Sequence, residues 1–352
     1  MSDAMTLFSQ ALEQLRLAVL NVPGLTGLAE APFLFRPLVM VVLLGVVAGV
    51  IGVIVNLRSA EFSAEAMVHA VFPGIVAGAV YWGIDAIIPA ASVVAVAAAV
   101  VLTIVSHRSH RGEASEAGTA VVLTSFFSIG LILSLAKGDM SGQLEALMFG
   151  RLLEVTDERL AQALIVCAVA LLLIVATWKE QVAYAFDRTG ARASGLRLLA
   201  LDLVLNTAIA AAVVSASTAV GILLVIGYLV IPGATARVLA SRVRAMVVVA
   251  IAVGVGGGYL GMLLMVLPET LDKPISPQAT VALVMTGILL LAVGVSTARE
   301  RLDRIRHRDH SAQPVTVAAA STTAGAEATA DRAGGAEGSA SGVTPVAERS
   351  RV

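Results

Sequence analysis

The sequence predicts an all-α, polytopic membrane protein, built as a bundle of eight or nine transmembrane helices. Of its 352 residues, 58% are hydrophobic and only 14% are charged, and the mean hydropathy is +0.89. Apolar runs of about 18 residues or more recur along the chain, and each is long enough to cross the ~30 Å hydrocarbon core of a bilayer as a helix. The lipid bilayer is therefore the predicted surroundings of most of the chain.

Nine apolar segments follow one another along the sequence. Their approximate bounds are 37–57, 62–83, 86–106, 117–136, 160–177, 199–216, 219–236, 245–267 and 279–298. The sixth and seventh segments are separated by very few residues, so eight spans remain an alternative to nine.

The two ends of the chain differ from the spans between them. Residues 1–32 form an N-terminal segment in which 5–20 could be an amphipathic helix on the membrane surface. Residues 33–298 form the transmembrane domain, and 299–352 a basic juxtamembrane end followed by a tail. From about Ser311 the tail is rich in Ala, Thr, Ser, Gly and Glu without an apolar period, which predicts a disordered cytoplasmic tail.

The basic residues are distributed unequally between the two sets of loops. One set holds fifteen of them: Arg58, Arg108, Arg111, Lys179, Arg188, Arg192, Arg197, Arg237, Arg242, Arg244, Arg299, Arg301, Arg304, Arg306 and Arg308. The other set holds six: Arg16, Arg36, Lys137, Arg151, Arg159 and Lys273. The richer side is expected to be cytoplasmic. The C-terminus is then inside, and nine spans put the N-terminus outside.

Composition and missing motifs exclude several classes of protein. A net charge of −1 without a basic and aromatic pattern does not favour nucleic acid. The single Cys167 permits neither a disulfide framework nor a cysteine metal cluster. The chain contains no phosphate loop of the form G-x-x-x-x-G-K-[ST] and no H-E-x-x-H motif. We therefore expect no catalytic residues, no enzyme activity of its own and no tightly bound cofactor.

Glu65 and His69 lie inside the second apolar segment. Their spacing of four places them on one face of a helix. Ionisable groups at membrane depth are costly and usually mark a pathway or a site, and a carboxylate with an imidazole suits zinc, manganese or iron. The alternative is that Glu65 pairs with a basic residue and that His69 is a hydrogen-bonded core residue.

Glycine spacing indicates where helices approach closely. Gly-x-x-x-Gly pairs occur at Gly45 and Gly49, Gly74 and Gly78, Gly254 and Gly258, and Gly257 and Gly261. We expect these pairs to serve packing within the chain rather than a dimer face.

Four stretches carry distinctive patterns. They are residues 58–74, in which an arginine precedes Glu65, His69, Pro73 and Gly74; residues 144–153, LEALMFGRLL; residues 185–195, AFDRTGARASG; and residues 220–237, VGILLVIGYLVIPGATAR. Together they resemble the permease subunit of bacterial ABC importers for zinc, manganese or iron, over residues 33 to 298. Two positions depart from the family pattern: Glu65 stands where aspartate is usual, and Gly233 where alanine is usual.

The resemblance implies a fold, a function and partners. It implies the ABC importer permease fold in the inner membrane, working as a homodimer that gives a divalent metal ion alternating access. A separate cytoplasmic ATP-binding subunit and an extracytoplasmic metal-binding protein are the implied partners. Glu65 and His69 become the metal pathway. Residues 184–196 resemble the coupling helix, with Phe186 as its apolar anchor and Asp187, Arg188 and Arg192 as its polar contacts.

Several alternatives remain at this point. An ion-gradient-driven secondary transporter could use Glu65 to carry protons, and an intramembrane metalloprotease would need a closed ligand set that the sequence does not show. His107 and His110 could contact exiting metal, but a basic interfacial loop is the favoured explanation of this pair. Glu116, Asp202 and Asn206 either line a cavity or bond helix to helix. A plain cytoplasmic loop is the alternative for residues 184–196.

Overall fold

The computed structural model describes residues 2–108, 112–136, 150, 152–266 and 276–311. Helices make up nearly all of this part of the chain, and it contains no strand. In chain order the helices are α1 (Ser2–Val19), α2 (Thr26–Ala29), α3 (Pro32–Leu57), α4 (Glu61–Ala77), α5 (Ile87–Arg108), α6 (Gly112–Leu135), α7 (Asp157–Ala176), α8 (Trp178–Phe186), α9 (Arg188–Ala193), α10 (Leu198–Val220), α11 (Ile222–Leu239), α12 (Val243–Val266) and α13 (Pro277–Ser311). A π-helical turn, Gly78–Trp82, extends α4. Short 3-10 turns occupy Ile84–Ala86 and Leu152–Glu154.

Eight helices among the described residues are long and apolar enough to cross a membrane: α3, α4 with its π-helical turn, α5, α6, α7, α10, α12 and α13. This confirms the predicted all-α bundle of spans. Helix α11 is shorter, with 18 residues, or roughly 27 Å of rise. All nine predicted apolar segments are therefore helical.

Two ion pairs define the two ends of the bundle. Arg36 near the start of α3 pairs with Asp157 at the start of α7, and we call this the Arg36 end. Arg58, directly after α3, pairs with Asp202 near the start of α10, and we call this the Arg58 end.

Helix α11 runs from one end of the bundle to the other. It starts after Gly221, and a Cβ at Gly150, a few residues before α7, would fall on the Gly221 backbone nitrogen. Near its other end, Arg237 donates a hydrogen bond to the carbonyl of Asn56 beside Arg58, at 2.9 Å. Gly221, with φ +82°, separates α10 from α11, so the two are consecutive antiparallel passes rather than one span.

Helix α3 lies at the centre of the bundle, and close contacts at glycine surround it. Of its span window 78% is buried, against 22% for α6 and for α13. A Cβ at Gly45 would lie 2.6 Å from the Val255 nitrogen, and one at Gly49 would lie 2.8 Å from the Ile251 nitrogen. The other glycine pairs also approach neighbouring helices of the same chain: Gly74 and Gly78 approach α5, Gly257 and Gly261 approach α13, Gly254 approaches α3, and Gly258 approaches α3 and α11. The predicted intrachain role of the glycine pairs is therefore confirmed.

The N-terminal segment packs onto the bundle at the Arg36 end. Helix α1 covers the amphipathic stretch that the sequence predicts. Ser9 donates a hydrogen bond to Asp157 at 2.9 Å, and Arg16 donates one to the carbonyl of Ala29 at 2.9 Å. Leu12 is buried against the bundle.

Contacts within the chain form two units, residues 1–301 and residues 302–352. The first contains every predicted span. The predicted disordered tail falls almost wholly on residues 312–352, which lie outside the described part of the chain.

Candidate metal pathway and coupling surface

A tight turn connects α3 to the helix that carries Glu65 and His69. Ser59 in this turn has φ +51°, an uncommon value for a residue other than glycine. Helix α4 starts two residues later, and it brings Glu65 and His69 onto one face, one turn apart. Glu65 is exposed in the single chain, whereas His69 is half-buried.

Aromatic side chains of α4 and α6 orient His69. Its ring meets Phe127 edge to face, with ring centroids 5.4 Å apart, and Phe127 stacks on Phe72 at 5.2 Å. The imidazole Nδ1 is buried and has no hydrogen-bond partner among the described residues. A buried nitrogen without a partner is uncommon in proteins, and a bound ligand would satisfy it.

Pro73 removes a backbone donor close to the imidazole. It lies inside α4 and has no N–H, so the carbonyl of His69, four residues earlier, loses its regular helical donor. Carbonyl oxygens are good ligands for hard divalent cations. One turn of α4 therefore presents a carboxylate, an imidazole and a carbonyl.

One chain does not surround a cation with side chains. Among the described residues, no group of three or more His, Cys, Asp or Glu side chains is placed to hold a metal. Resident metals usually take four or more ligands, so Glu65 and His69 alone form an open, sparse site. Such a site suits brief binding during passage better than permanent retention.

The predicted coupling residues lie on the exposed α8–α9 segment. The Phe186 side chain, at the end of α8, is 72% exposed. Arg188 and Arg192 of α9 are also exposed. An apolar ring held in the open beside two cations is the arrangement that a docking surface requires.

Asp187 fixes the bend between α8 and α9. Its carboxylate accepts hydrogen bonds from the backbone N–H groups of Thr189 and Gly190, at 3.0 and 2.9 Å, and so caps α9. The Gly190 N–H and the Thr189 hydroxyl hold the pKa of Asp187 below its usual range. The cap is therefore intact at neutral pH and is lost only as the pH falls through that lowered pKa.

Two other polar residues that the sequence analysis named, Asp202 and Asn206, form side-chain contacts between helices. Asp202 pairs with Arg58, and Asn206 donates to the Thr103 hydroxyl at 2.9 Å. His107 Nδ1 lies 3.6 Å from the Asp202 carboxylate. Glu116 is exposed. His110 lies outside the described residues.

Two residues of this region were not predicted. Gln181 and Tyr184 of α8 both contact Arg58. The only signal in the sequence was Arg58 itself, since an arginine at the end of an apolar helix requires polar partners. That signal did not identify α8.

Comparison with known proteins agrees with the resemblance. A family model described as "ABC 3 transport family" matches residues 30–296. The chain is 33% identical over 239 residues to the Manganese transport system membrane protein MntC of Listeria monocytogenes, covering 68% of this chain and 83% of the relative. It is 31% identical to the Chelated iron transport system membrane protein YfeC of Yersinia pestis, covering 60% of this chain and 70% of the relative.

A solved structure has the same fold. One chain of PsaBC from Streptococcus pneumoniae, solved in complex with Fab, superposes with a TM-score of 0.65 at 25% identity, over 76% of this chain and 94% of that one. The relatives are transport permeases and not enzymes. With the family model covering all nine apolar helices, this membrane protein belongs to the ABC 3 transport family.

Proposed function

We propose that the chain is the membrane-spanning permease subunit of an ATP-driven importer for a divalent metal: zinc, manganese or iron. Relatives named for manganese and for chelated iron transport support this proposal. The observation that carries it is the placement of Glu65 and an unpartnered His69 nitrogen on one face of a membrane-spanning helix. The transported ion is the cargo of this site, and no cofactor is needed. Membership of this family also argues against a gradient-driven transporter.

The working unit in this proposal is a homodimer. A two-fold axis would duplicate the open site, so that two carboxylates and two imidazoles face one pathway. The exposure of Glu65 in the single chain is compatible with such an arrangement.

The Arg58 end faces the cytoplasm in this proposal. It carries the basic loops, and the positive-inside rule favours that orientation in the inner membrane, with the C-terminus inside. A separate ATP-binding subunit docks on Phe186, Asp187, Arg188 and Arg192. A metal-binding protein delivers the ion at the Arg36 end.

Metal uptake by the complex reconstituted in liposomes tests the pathway. Glu65→Ala and His69→Ala should each reduce uptake of zinc, manganese and iron to the background, because each removes one of two side-chain ligands. Glu61→Ala is the matched control, since it removes an acid from the first turn of the same helix. Near-normal transport by both pathway variants, at normal levels of folded protein, would contradict the proposal.

A further inference from the structure

A buried polar cluster lies between the exposed α8–α9 segment and the turn that leads to Glu65. Arg58 donates to the Gln181 side-chain oxygen at 2.6 Å and forms an ion pair with Asp202. Its guanidinium carbon lies 4.0 Å from the centre of the Tyr184 ring. We call Arg58, Gln181, Tyr184 and Asp202 the Arg58 cluster.

The members of the Arg58 cluster also bind each other and the backbone. Gln181 donates to the carbonyl of Leu201 at 2.9 Å, and the Tyr184 hydroxyl lies 3.5 Å from the Asp202 carboxylate. The Arg58 side chain is only 9% exposed. One guanidinium thus joins the ends of α3, α8 and α10, so none of these ends can move far without moving the others.

The α8–α9 segment has a small apolar core of its own. Tyr184, Ala191, Leu198 and Leu201 form a cluster separate from the main core of the bundle. This small core joins α8, α9 and the start of α10, while the rest of α10 packs in the main core. Trp178 and Val182 also touch the main core, but the Arg58 cluster is the charged connection.

On its other side, Arg58 is continuous with the start of α4. Its N–H bonds to the carbonyl of Ile54 at 3.0 Å, which makes it the last residue held by α3. The Ala60 N–H donates a hydrogen bond to the Val55 carbonyl at 2.9 Å, and the Ala64 N–H donates one to the Ala60 carbonyl at 2.9 Å. A displacement of Arg58 is therefore passed to the first turn of α4 through backbone hydrogen bonds.

Stability alone gives little reason for a buried ion pair at this place. Apolar side chains of similar volume usually hold helices together equally well, because burying two charges costs about as much as their attraction returns. A planar guanidinium, however, holds a carboxylate, an amide and a ring in fixed directions at once. Such a link fixes the mutual orientation of the three groups more narrowly than an apolar contact does.

We propose that Arg58 is a positioning residue that carries movement of the α8–α9 segment to α4, and so moves Glu65 and His69 when the ATPase acts. The inference rests on the proposed function and adds a route to it. Asp202, Gln181 and Tyr184 hold Arg58 in place.

Uptake and ATP hydrolysis measured on the same proteoliposomes test this route. Arg58→Ala should keep the ATPase bound but lower the metal transported per ATP by about tenfold or more, within the usual range of coupling between sites. Arg58→Lys should fall between Arg58→Ala and the unchanged protein, because an ammonium keeps the charge but lacks the planar fork that fixes the directions of its partners. Tyr184→Phe keeps the ring and should have a small effect.

Arg36→Ala is the matched control. It breaks the ion pair between α3 and α7 at the opposite end of the bundle, so it should lower thermal stability while the transport per ATP stays normal. Two results would overturn the inference. One is an equal fall of the metal transported per ATP in Arg36→Ala and Arg58→Ala, and the other is an unchanged value in Arg58→Ala. Asp202→Asn replaces Arg58→Ala if the latter does not fold.

Hydrogen exchange separates a failure of this route from a failure of the proposed function. A complex that hydrolyses ATP but imports none of the three metals refutes the function. The route through Arg58 can still be tested in that case, by measuring amide hydrogen exchange at residues 59–64. A non-hydrolysable ATP analogue should change the exchange rates there in the unmodified complex. It should leave them unchanged in the Arg58→Ala complex. The same response in both proteins refutes the route.

Discussion

Two carboxylates near the Arg58 end have opposite surroundings. Asp202 is paired with Arg58 and lies near the Tyr184 hydroxyl, so its charge is already compensated. Glu65 is exposed on α4 and makes no ion pair within the described residues. A carboxylate with an arginine partner serves structure, whereas one without such a partner can bind a cation that arrives and leaves.

Pro73 provides a test of the backbone contribution to the pathway. Pro73→Ala supplies the missing N–H to the His69 carbonyl, so α4 should become more stable while metal uptake falls, by about tenfold if the carbonyl is a ligand. Uptake and thermal stability are the measurements. Pro232→Ala in α11 is the control, since it restores a bond to Tyr228 instead. A more stable Pro73→Ala protein with normal uptake would show that the carbonyl has no role.

The candidate site was partly predictable because it is local. Glu65 and His69 are four residues apart, and helical geometry alone brings them together. Arg58 and its partners could not be found in this way, because Gln181 and Asp202 are 123 and 144 residues away in sequence. Their meeting depends on how three helix ends are arranged, which no local pattern specifies.

At the scale of elements, hydropathy predicted all eight described helices that are long and apolar enough to cross a membrane, because length and apolar content are what such a crossing requires. It could not predict which helix is central. A membrane helix is apolar on all sides, so its sequence carries no strong difference between the lipid face and the protein face. Glycine positions were the better guide, since they mark where backbones approach.

The contact between α3 and α12 can be tested by substitution at glycine. In Gly254→Ala the added Cβ would lie 2.6 Å from the Gly45 carbonyl oxygen, so the helices must separate, at a cost of about 1–3 kcal/mol. Gly256→Ala on the same helix has open space around it and should be neutral or slightly stabilising. Thermal unfolding of the two variants in lipid nanodiscs makes the comparison. Equal stability would mean that the approach at Gly254 is not as tight as described.

The α8–α9 segment can be tested through its exposed ring. Phe186→Asp should prevent co-purification of the ATPase or abolish metal-stimulated hydrolysis, because docking would bury an unpaired charge. The fold should persist, since the side chain is 72% exposed and supports no core. Phe33→Asp, at the opposite end of the bundle, is the control. Normal docking and stimulation in Phe186→Asp would place the coupling surface elsewhere.

At the scale of the whole molecule, the two ends of the bundle differ in what they carry. The Arg58 end holds the basic loops, the α8–α9 segment and the Arg58 cluster. The Arg36 end holds the packed N-terminal helix α1 and the ion pair between Arg36 and Asp157. The site on α4 lies between these two ends, and Glu65 is in the second turn of a helix that begins at the Arg58 end.

The tail beyond Ser311 should be dispensable. Deleting residues 312–352 should leave uptake intact, because the segment has too little apolar surface to offset the entropy of ordering it. The preceding cluster of Arg299, Arg301, Arg304, Arg306 and Arg308 is kept, since it anchors the last helix at the membrane surface. Protease added to inside-out vesicles should remove the tail first. A protected tail, or lost uptake in the truncation, would indicate that it binds a partner.

The contact between Gly52 and Gly233 has a consequence for how the chain can change over evolutionary time. A Cβ at Gly233 would fall on the Gly52 carbonyl oxygen, and one at Gly52 would fall on the carbonyl oxygen of Leu229. Neither position can accept alanine while α3 and α11 keep this separation. An alanine at Gly233 therefore requires a wider gap between these helices than this chain has. Whether the chain tolerates alanine at Gly233 thus depends on residues elsewhere at this contact, since other substitutions must first move α11 away from α3.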